Sequence, residues 1–240
     1  MNDGDSVVEV GCGHGCSMFP IIESFPCQYI ATDYSAEVLY ILKKNENFDT
    51  SRCTAGLWDV TMPLSKSIWS QIHTPIKAVL AIFALSAVHP DYHVQCLINM
   101  RQLLENKVNT TTCTGTTAIT TTTTSGTSIG TDTEQQAEVG IETHENNIKT
   151  LNNTNVILFR DYGIHDMTMY RHKVRYSETL YQRADHTLAY YFDLDYIQRI
   201  AMLAGLSVLE LEYATVRTEN RRAKSTMHRV FVHAVLGLTD

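Results

Sequence analysis

The stretch VVEVGCGHG, Val7 to Gly15, limits what this chain can become more than any other. Apolar, β-branched positions run through Glu9 into glycines at 11, 13 and 15, the pattern of a buried strand, a tight turn and a helix start. A side chain at these glycines would hold the backbone away from a ligand, and positive φ there would exclude most other residues. The loop is therefore shaped for a nucleotide-like cofactor. Asp33 ends a second apolar run, Tyr29 to Thr32, so its carboxylate would emerge at the carboxyl edge of the next strand, where it can accept both ribose hydroxyls. That spacing also suits a dinucleotide dehydrogenase. Against it, G-x-G-x-G puts the last glycine one residue early for G-x-G-x-x-G, and position 16 is Cys.

At 240 residues and 44% hydrophobic content, the chain can bury one full α/β core with a flexible appendage. The net charge of −7 excludes a generally basic nucleic-acid binder, but the charge is uneven. Between Arg160 and Arg229 there are 11 Lys and Arg against 9 Asp and Glu, so the carboxyl-terminal third is the side for a phosphate-bearing partner. The six cysteines form no C-x-x-C pair and read as reduced thiols rather than a metal site. No apolar run has membrane-spanning length, and MNDGDS resembles no targeting peptide; the expectation is a cytoplasmic protein, with the nucleus a second compartment. A first strand starting at residue 7 leaves little room for an amino-terminal segment.

After the loop, Met18, Ile21, Ile22 and Phe25 predict one apolar helix face. Ser35 can cap a second helix with Val38, Ile41 and Leu42 inward. A third strand around Cys53 to Trp58 delivers Asp59 either to a cofactor or to a helix cap. Lys77 to Leu85 reads as a central parallel strand ending in LSAVHP, followed by a helix with Cys96, Leu97, Met100 and Leu104 inward. From Thr110 to Thr133, 14 of 24 residues are threonine, and 107–155 reads as a disordered insertion in one loop. Closing so long a loop costs only about 2 kcal/mol more than closing a short one. Order resumes with Val156 to Phe159 and then RDYG. A helix carrying Leu194, Ile197, Ala201 and Ala204 stops at Gly205, and two strands follow, Leu206 to Tyr213 and Arg229 to Leu236, joined by a long excursion.

The conjunction of VVEVGCGHG, ATDYS, AIFALSAVHPD, LFRDYG, YQRAD and HRVFV resembles the methyltransferase-like enzymes that make 3-methylcytidine in transfer RNA. The similarity runs in order along the chain outside the threonine-rich segment. It implies a Rossmann-like class I α/β methyltransferase, with a seven-stranded, mostly parallel sheet and a carboxyl-terminal antiparallel strand. Residues 1–106 would form the half that binds S-adenosylmethionine (SAM), and 156–240 the other half of the same domain. The implied activity is SAM-dependent methylation of cytidine N3 in the tRNA anticodon loop, with an aminoacyl-tRNA synthetase as a possible protein partner. Cofactor contacts carried over from the resemblance are Gly11, Gly13, Asp33 on the ribose, Asp59 near the adenine, and Ile82. Three features depart from the family. Its amino-terminal RNA-binding segment is absent, the threonine-rich insertion is added, and His186 and Leu188 stand where the Y-x-R-x-D-G-T-R turn has glycine and arginine.

Cytosine N3 carries its own lone pair, so methylation needs no strong base, only extrusion of the base, alignment and exclusion of water. Asp161 and Tyr162 are the first catalytic candidates, one facing developing positive charge and the other stacking on the base; His89 is a third. Packing roles, such as an Asp161 pairing with Arg160 or Arg183, are the alternative for each. Arg171, Lys173 and Arg175, interleaved with Tyr170 and Tyr176, read with Arg183, Arg221 and Arg222 as an RNA-binding surface or a solvated face. Rival functions are a non-catalytic SAM-binding partner subunit and a methyltransferase acting on a small molecule or protein.

Overall fold

The structure, a computed structural model, describes residues 4–105, 155–220 and 225–239. The insertion read at 107–155 falls outside these residues except for Asn155, as do Arg221 and Arg222.

The chain begins with β1 (Ser6–Val10), α1 (Met18–Ser24), β2 (Gln28–Asp33), α2 (Ala36–Lys43) and β3 (Cys53–Leu57). There follow a short α3 (Lys66–Trp69), β4 (Ile76–Ile82) and α4 (His93–Glu105). Beyond residue 155 come β5 (Val156–Tyr162), a small sheet of β6 (Val174–Arg175), β7 (Leu180–Gln182) and β8 (Leu188–Tyr190), then α5 (Leu194–Leu203), β9 (Leu206–Asn220) and β10 (Ser225–Leu238). The main sheet has seven strands in the order β3-β2-β1-β4-β5-β10-β9, as expected. β1 to β5 are parallel, and β10 runs antiparallel to both neighbours. The strand order reverses between β1 and β4, which opens a crevice at the carboxyl ends of these strands.

Strand periodicity explains the layers, because successive side chains face opposite sides of the sheet. Val8, Val10, Val79, Ala81, Ile157 and Phe159 pack with α4 and α5, whereas Val7, Tyr29, Ala31 and Leu80 pack with α1 and α2. The α4 face is as expected, with Cys96, Leu97, Met100 and Leu104 buried. Gly205 ends the α5 segment at φ +70°.

Four expectations about the elements need correction. The first helix is only seven residues long and ends before Phe25, which is extended and 43% exposed. In α2 the inward stripe is Leu39 and Leu42, so Ile41, two residues from Leu39, is turned outward. β4 stops at Ile82 because Phe83 takes left-handed backbone, φ +55°, and Leu85 starts a 3-10 turn. Nor is Arg217 to His228 an open connection. β9 and β10 stay paired out to Asn220 and Ser225, while pairing with β5 ends at Tyr162, so the last strands continue past the parallel sheet as a two-stranded arm.

Candidate functional site

A cavity of about 620 Å³ lies in the crevice at the strand ends. Gly11 (φ +67°) forms part of its floor, and a Cβ there would sit 2.9 Å from the Ala84 Cβ. Only glycine fits both the conformation and the contact. Asp33 also lines the cavity, and it holds the loop as well. Its Oδ2 accepts from the Gly13 N–H at 2.9 Å and its Oδ1 from the Ser35 N–H at 2.9 Å. Each oxygen keeps a second lone pair for a ligand hydroxyl. Gly13 (φ +52°) thus supports the loop rather than lining the cavity.

Beneath the loop, Glu9 is 2% exposed and accepts from the Tyr29 hydroxyl at 2.8 Å. Burial pushes its carboxyl up to about 7, with nearby Asp33 adding to the rise and the Tyr29 and Ser17 hydroxyls opposing it.

Asp59 lines the cavity, as does Tyr34. The helix cap read as one alternative is not formed, since α3 starts at Lys66 after Ser65; Asp59 closes a turn instead. Oδ1 accepts from the Thr61 N–H at 3.0 Å and hydroxyl at 2.7 Å, and Oδ2 has no hydrogen bond among the described residues. Ile82 does not reach the cavity; it packs against the core formed with α1 and α2. The left-handed turn at the next residue puts Phe83 and Ala84 on the wall instead.

The loop after β4 is held from below. Asp161 is fully buried, and its Oδ2 accepts from the Ser86 N–H at 2.8 Å. Burial pushes this carboxyl up to about 6, against the hydrogen bonds it accepts from Ser86 and Tyr162. Asp161 therefore braces the loop and does not line the cavity. His89 is outside the lining too, with its Nδ1 3.3 Å from Asp91 at the surface. The sequence reading passed over His93, which is fully buried and bonds Tyr196 through Nδ1 at 2.9 Å and the carbonyls of Leu85 and Val88 through Nε2 at 3.0 and 3.1 Å. Burial lowers its pKa to about 4, so a neutral ring ties this loop to α4 and α5.

The β7–β8 turn covers the cavity with His186, Thr187 and Leu188. His186 has φ +67°, the left-handed geometry for which glycine is the expected residue. It is also shared with a second cavity of about 390 Å³, whose walls include Arg171, His172, Lys173 and Arg183. Arg175 is exposed outside it, over the Tyr181 ring at 5.8 Å. Among the described residues, none of Arg160, Arg171, Lys173, Arg175 or Arg183 has a carboxylate within ion-pair distance.

Between the cavities, guanidinium groups and rings alternate. Arg160 and Arg229 lie over Phe231 at 4.8 and 4.9 Å, and Arg229 and Arg183 over Tyr162 at 5.6 and 5.4 Å. Arg229 is fixed by Asp166 at 2.8 Å, and Arg183 reaches the Ser86 hydroxyl at 3.3 Å. Tyr162, the proposed stacking residue, is half-buried in this series and touches Phe83 at a centroid distance of 5.1 Å. Phe83 and Tyr34 were missed by the sequence reading; the only signal for either is a large aromatic side chain immediately after a strand.

No family profile matches the chain. It is 27% identical over 235 residues to the human tRNA N(3)-cytidine methyltransferase METTL6, covering 95% of this chain and 64% of that protein. It is 26% identical to zebrafish METTL2, which bears the same enzyme name, over 94% of this chain and 52% of that one. The chain thus resembles the tRNA N3-cytidine methyltransferases along nearly its whole length while spanning about half to two thirds of theirs. It is also 25% identical to O-methyltransferase 3 of Dictyostelium discoideum, over 95% of this chain and 42% of that protein. Among solved structures, a SAM-dependent methyltransferase from Anabaena variabilis superposes with a TM-score of 0.60 at 12% identity, covering all of this chain and 79% of that one. One from Methanosarcina mazei gives 0.57 at 9% identity, covering all of this chain and 95% of that one. The fold is that of SAM-dependent methyltransferases.

Proposed function

We propose that this chain transfers the methyl group of SAM to N3 of a cytidine in a tRNA anticodon loop. The observation that carries this reading is the pairing of a cofactor-shaped cavity with a second cavity lined by unpaired cations, the two sharing His186. The residues fit the cofactor. The Gly11 cradle would be filled by any Cβ, Asp33 keeps acceptor capacity for ribose hydroxyls, and the free oxygen of Asp59 can accept from an adenine amino group. Bound there, SAM supplies an electrophilic methyl group on a sulfonium.

The protein's own work is positioning. The cytosine N3 lone pair forms the new C–N bond while the S–C bond breaks, so no proton moves in the step and the base gains one positive charge. Asp161 and His93 hold the loop that carries Phe83 to Val88, keeping Ala84, Ala87 and Val88 as an apolar, water-excluding wall. Arg171, Lys173 and Arg183 offer charge for the phosphates flanking an extruded nucleotide. The likeness to a relative named for O-methylation supports a second reading, with a small-molecule acceptor. The five described cysteines are all unbridged, which accords with a cytoplasmic site of action.

The test is calorimetric titration of SAM with an Asp33→Ala control, followed by transfer of labelled methyl to tRNA and identification of the product nucleoside by mass spectrometry. SAM binding abolished by Asp33→Ala, together with 3-methylcytidine in the tRNA, is the expected result. SAM binding with no label in tRNA at any salt concentration would overturn the substrate assignment.

A further inference from the structure

Phe83 is set apart from the rings around it. It follows β4 directly and is one of three non-glycine residues with positive φ among the described residues. Such backbone is kept only where its surroundings over-determine it, and it clusters at ligand sites. Here the Phe83 N–H donates to the Arg160 carbonyl at 2.8 Å, and the ring makes a T-shaped contact with Phe231 at a centroid distance of 5.4 Å. The ring is therefore aimed rather than loose, yet it is 39% exposed and lines the cavity. Its neighbours Tyr162 and Phe231 each have two guanidinium groups over them. Among the described residues, no cation lies over Phe83.

On the basis of the methyl-transfer reading above, we infer that Phe83 is the platform on which the target base lies, its open ring face receiving the positive charge that the base gains on methylation. A flat base stacks on a ring of this size, and the ring's negative face attracts a cation. The charge appears only as the C–N bond forms, so this attraction grows toward the transition state and lowers the barrier rather than merely tightening substrate binding. The same geometry favours the cationic product over the neutral substrate. Arg183 and Arg229, already held on Tyr162, leave the Phe83 face as the open acceptor for charge in this cluster.

The experiment compares binding of two synthetic anticodon stem-loops, one with cytidine and one with 3-methylcytidine, at pH 7 with saturating S-adenosylhomocysteine. The wild-type chain should bind the methylated RNA about tenfold more tightly. Phe83→Leu should lose that preference and Phe83→Tyr keep it. SAM affinity measured by calorimetry, with thermal melting, shows that each variant is folded with its cofactor cavity intact. An undiminished preference in Phe83→Leu overturns the inference, and so does a fall in SAM affinity as large as its loss of RNA preference, which would assign the ring to the sulfonium. Failure of the wild-type chain to bind either RNA overturns the RNA reading itself, and the inference with it.

Discussion

Glu9→Gln should stabilise this protein, although it removes a buried hydrogen-bonding acid. In the folded chain the carboxyl is 2% exposed and titrates near 7, whereas its ordinary value is 4.5. Between these values the native state keeps a proton that the unfolded state has lost. Stability contributed by this group therefore falls as pH rises from 4.5 to about 7, and the cost is complete above that range. At about 1.4 kcal/mol per tenfold change in proton affinity, the full cost is about 3 kcal/mol. Glutamine keeps an acceptor for the Tyr29 hydroxyl and cannot ionise. Its extra N–H groups need partners, which returns about 1 kcal/mol. The expected net gain at pH 8 is about 2 kcal/mol, a rise of roughly 4–8 °C in Tm for a domain of this size. At pH 4.5 the ionisation cost is nearly absent, and the N–H cost should leave the variant less stable than wild type by up to about 1 kcal/mol. Thermal melting of wild type and variant at intervals across pH 4.5–8 measures the difference directly, and the difference removes the parallel contribution of Asp161, which also titrates high. A gap between the two curves that does not change with pH would refute the reasoning.

Three further outcomes follow from single contacts. Gly11→Ala forces a Cβ within 2.9 Å of Ala84 on left-handed backbone, costing about 1–2 kcal/mol of stability, and should weaken SAM binding by at least tenfold in calorimetry; unchanged affinity would remove the loop from the cofactor site. His186→Gly relieves the positive φ and should stabilise by about 1 kcal/mol in denaturant titration, where a loss of stability would show that the imidazole contributes packing. Asp166→Asn breaks the 2.8 Å contact to Arg229 and should cost about 3 kcal/mol at pH 7. Burial opposes ionisation of Asp166, but hydrogen bonds from Thr168, Val230 and Arg229 outweigh it, so its pKa is lowered; wild type should lose this contribution only as pH falls below 3.8, and an equal loss at pH 6 would refute the assignment.

The parallel half of the fold was legible because a buried strand and the loop after it are local. Val7 to Gly15 contains its own strand, turn and glycine constraints, and Gly11 lies on the cavity wall beside Asp33 from the end of β2. Long-range pairings were not legible in the same way. Arg217 to His228 is polar and charged, so its sequence reads as a connection, yet cross-strand hydrogen bonds to a partner fix Arg217 to Asn220 as strand. The site residues divide by the same principle. Asp161 lies beside Tyr162 at a strand end, but alternation along β5 sends Asp161 into the core and leaves Tyr162 on the side with Phe231 and the arginines. Ile82 and Phe83 were separated by a single backbone dihedral that an apolar run does not reveal.

Net charge was the weakest guide, and the site shows why. Its loops are held by aspartates that accept backbone N–H groups: Asp33 from Gly13 and Ser35, Asp59 from Thr61, Asp161 from Ser86, Asp166 from Thr168 and Val230, and Asp185 from Thr187. An aspartate used in this way is turned toward the turn it closes. Only Asp166 among the five spends an oxygen on an arginine. Four of these five aspartates thus close loops without forming an ion pair to a cation beside them. An acidic protein can in this way leave Arg160, Arg171, Lys173, Arg175 and Arg183 without an ion-paired carboxylate among the described residues, three of them around one cavity.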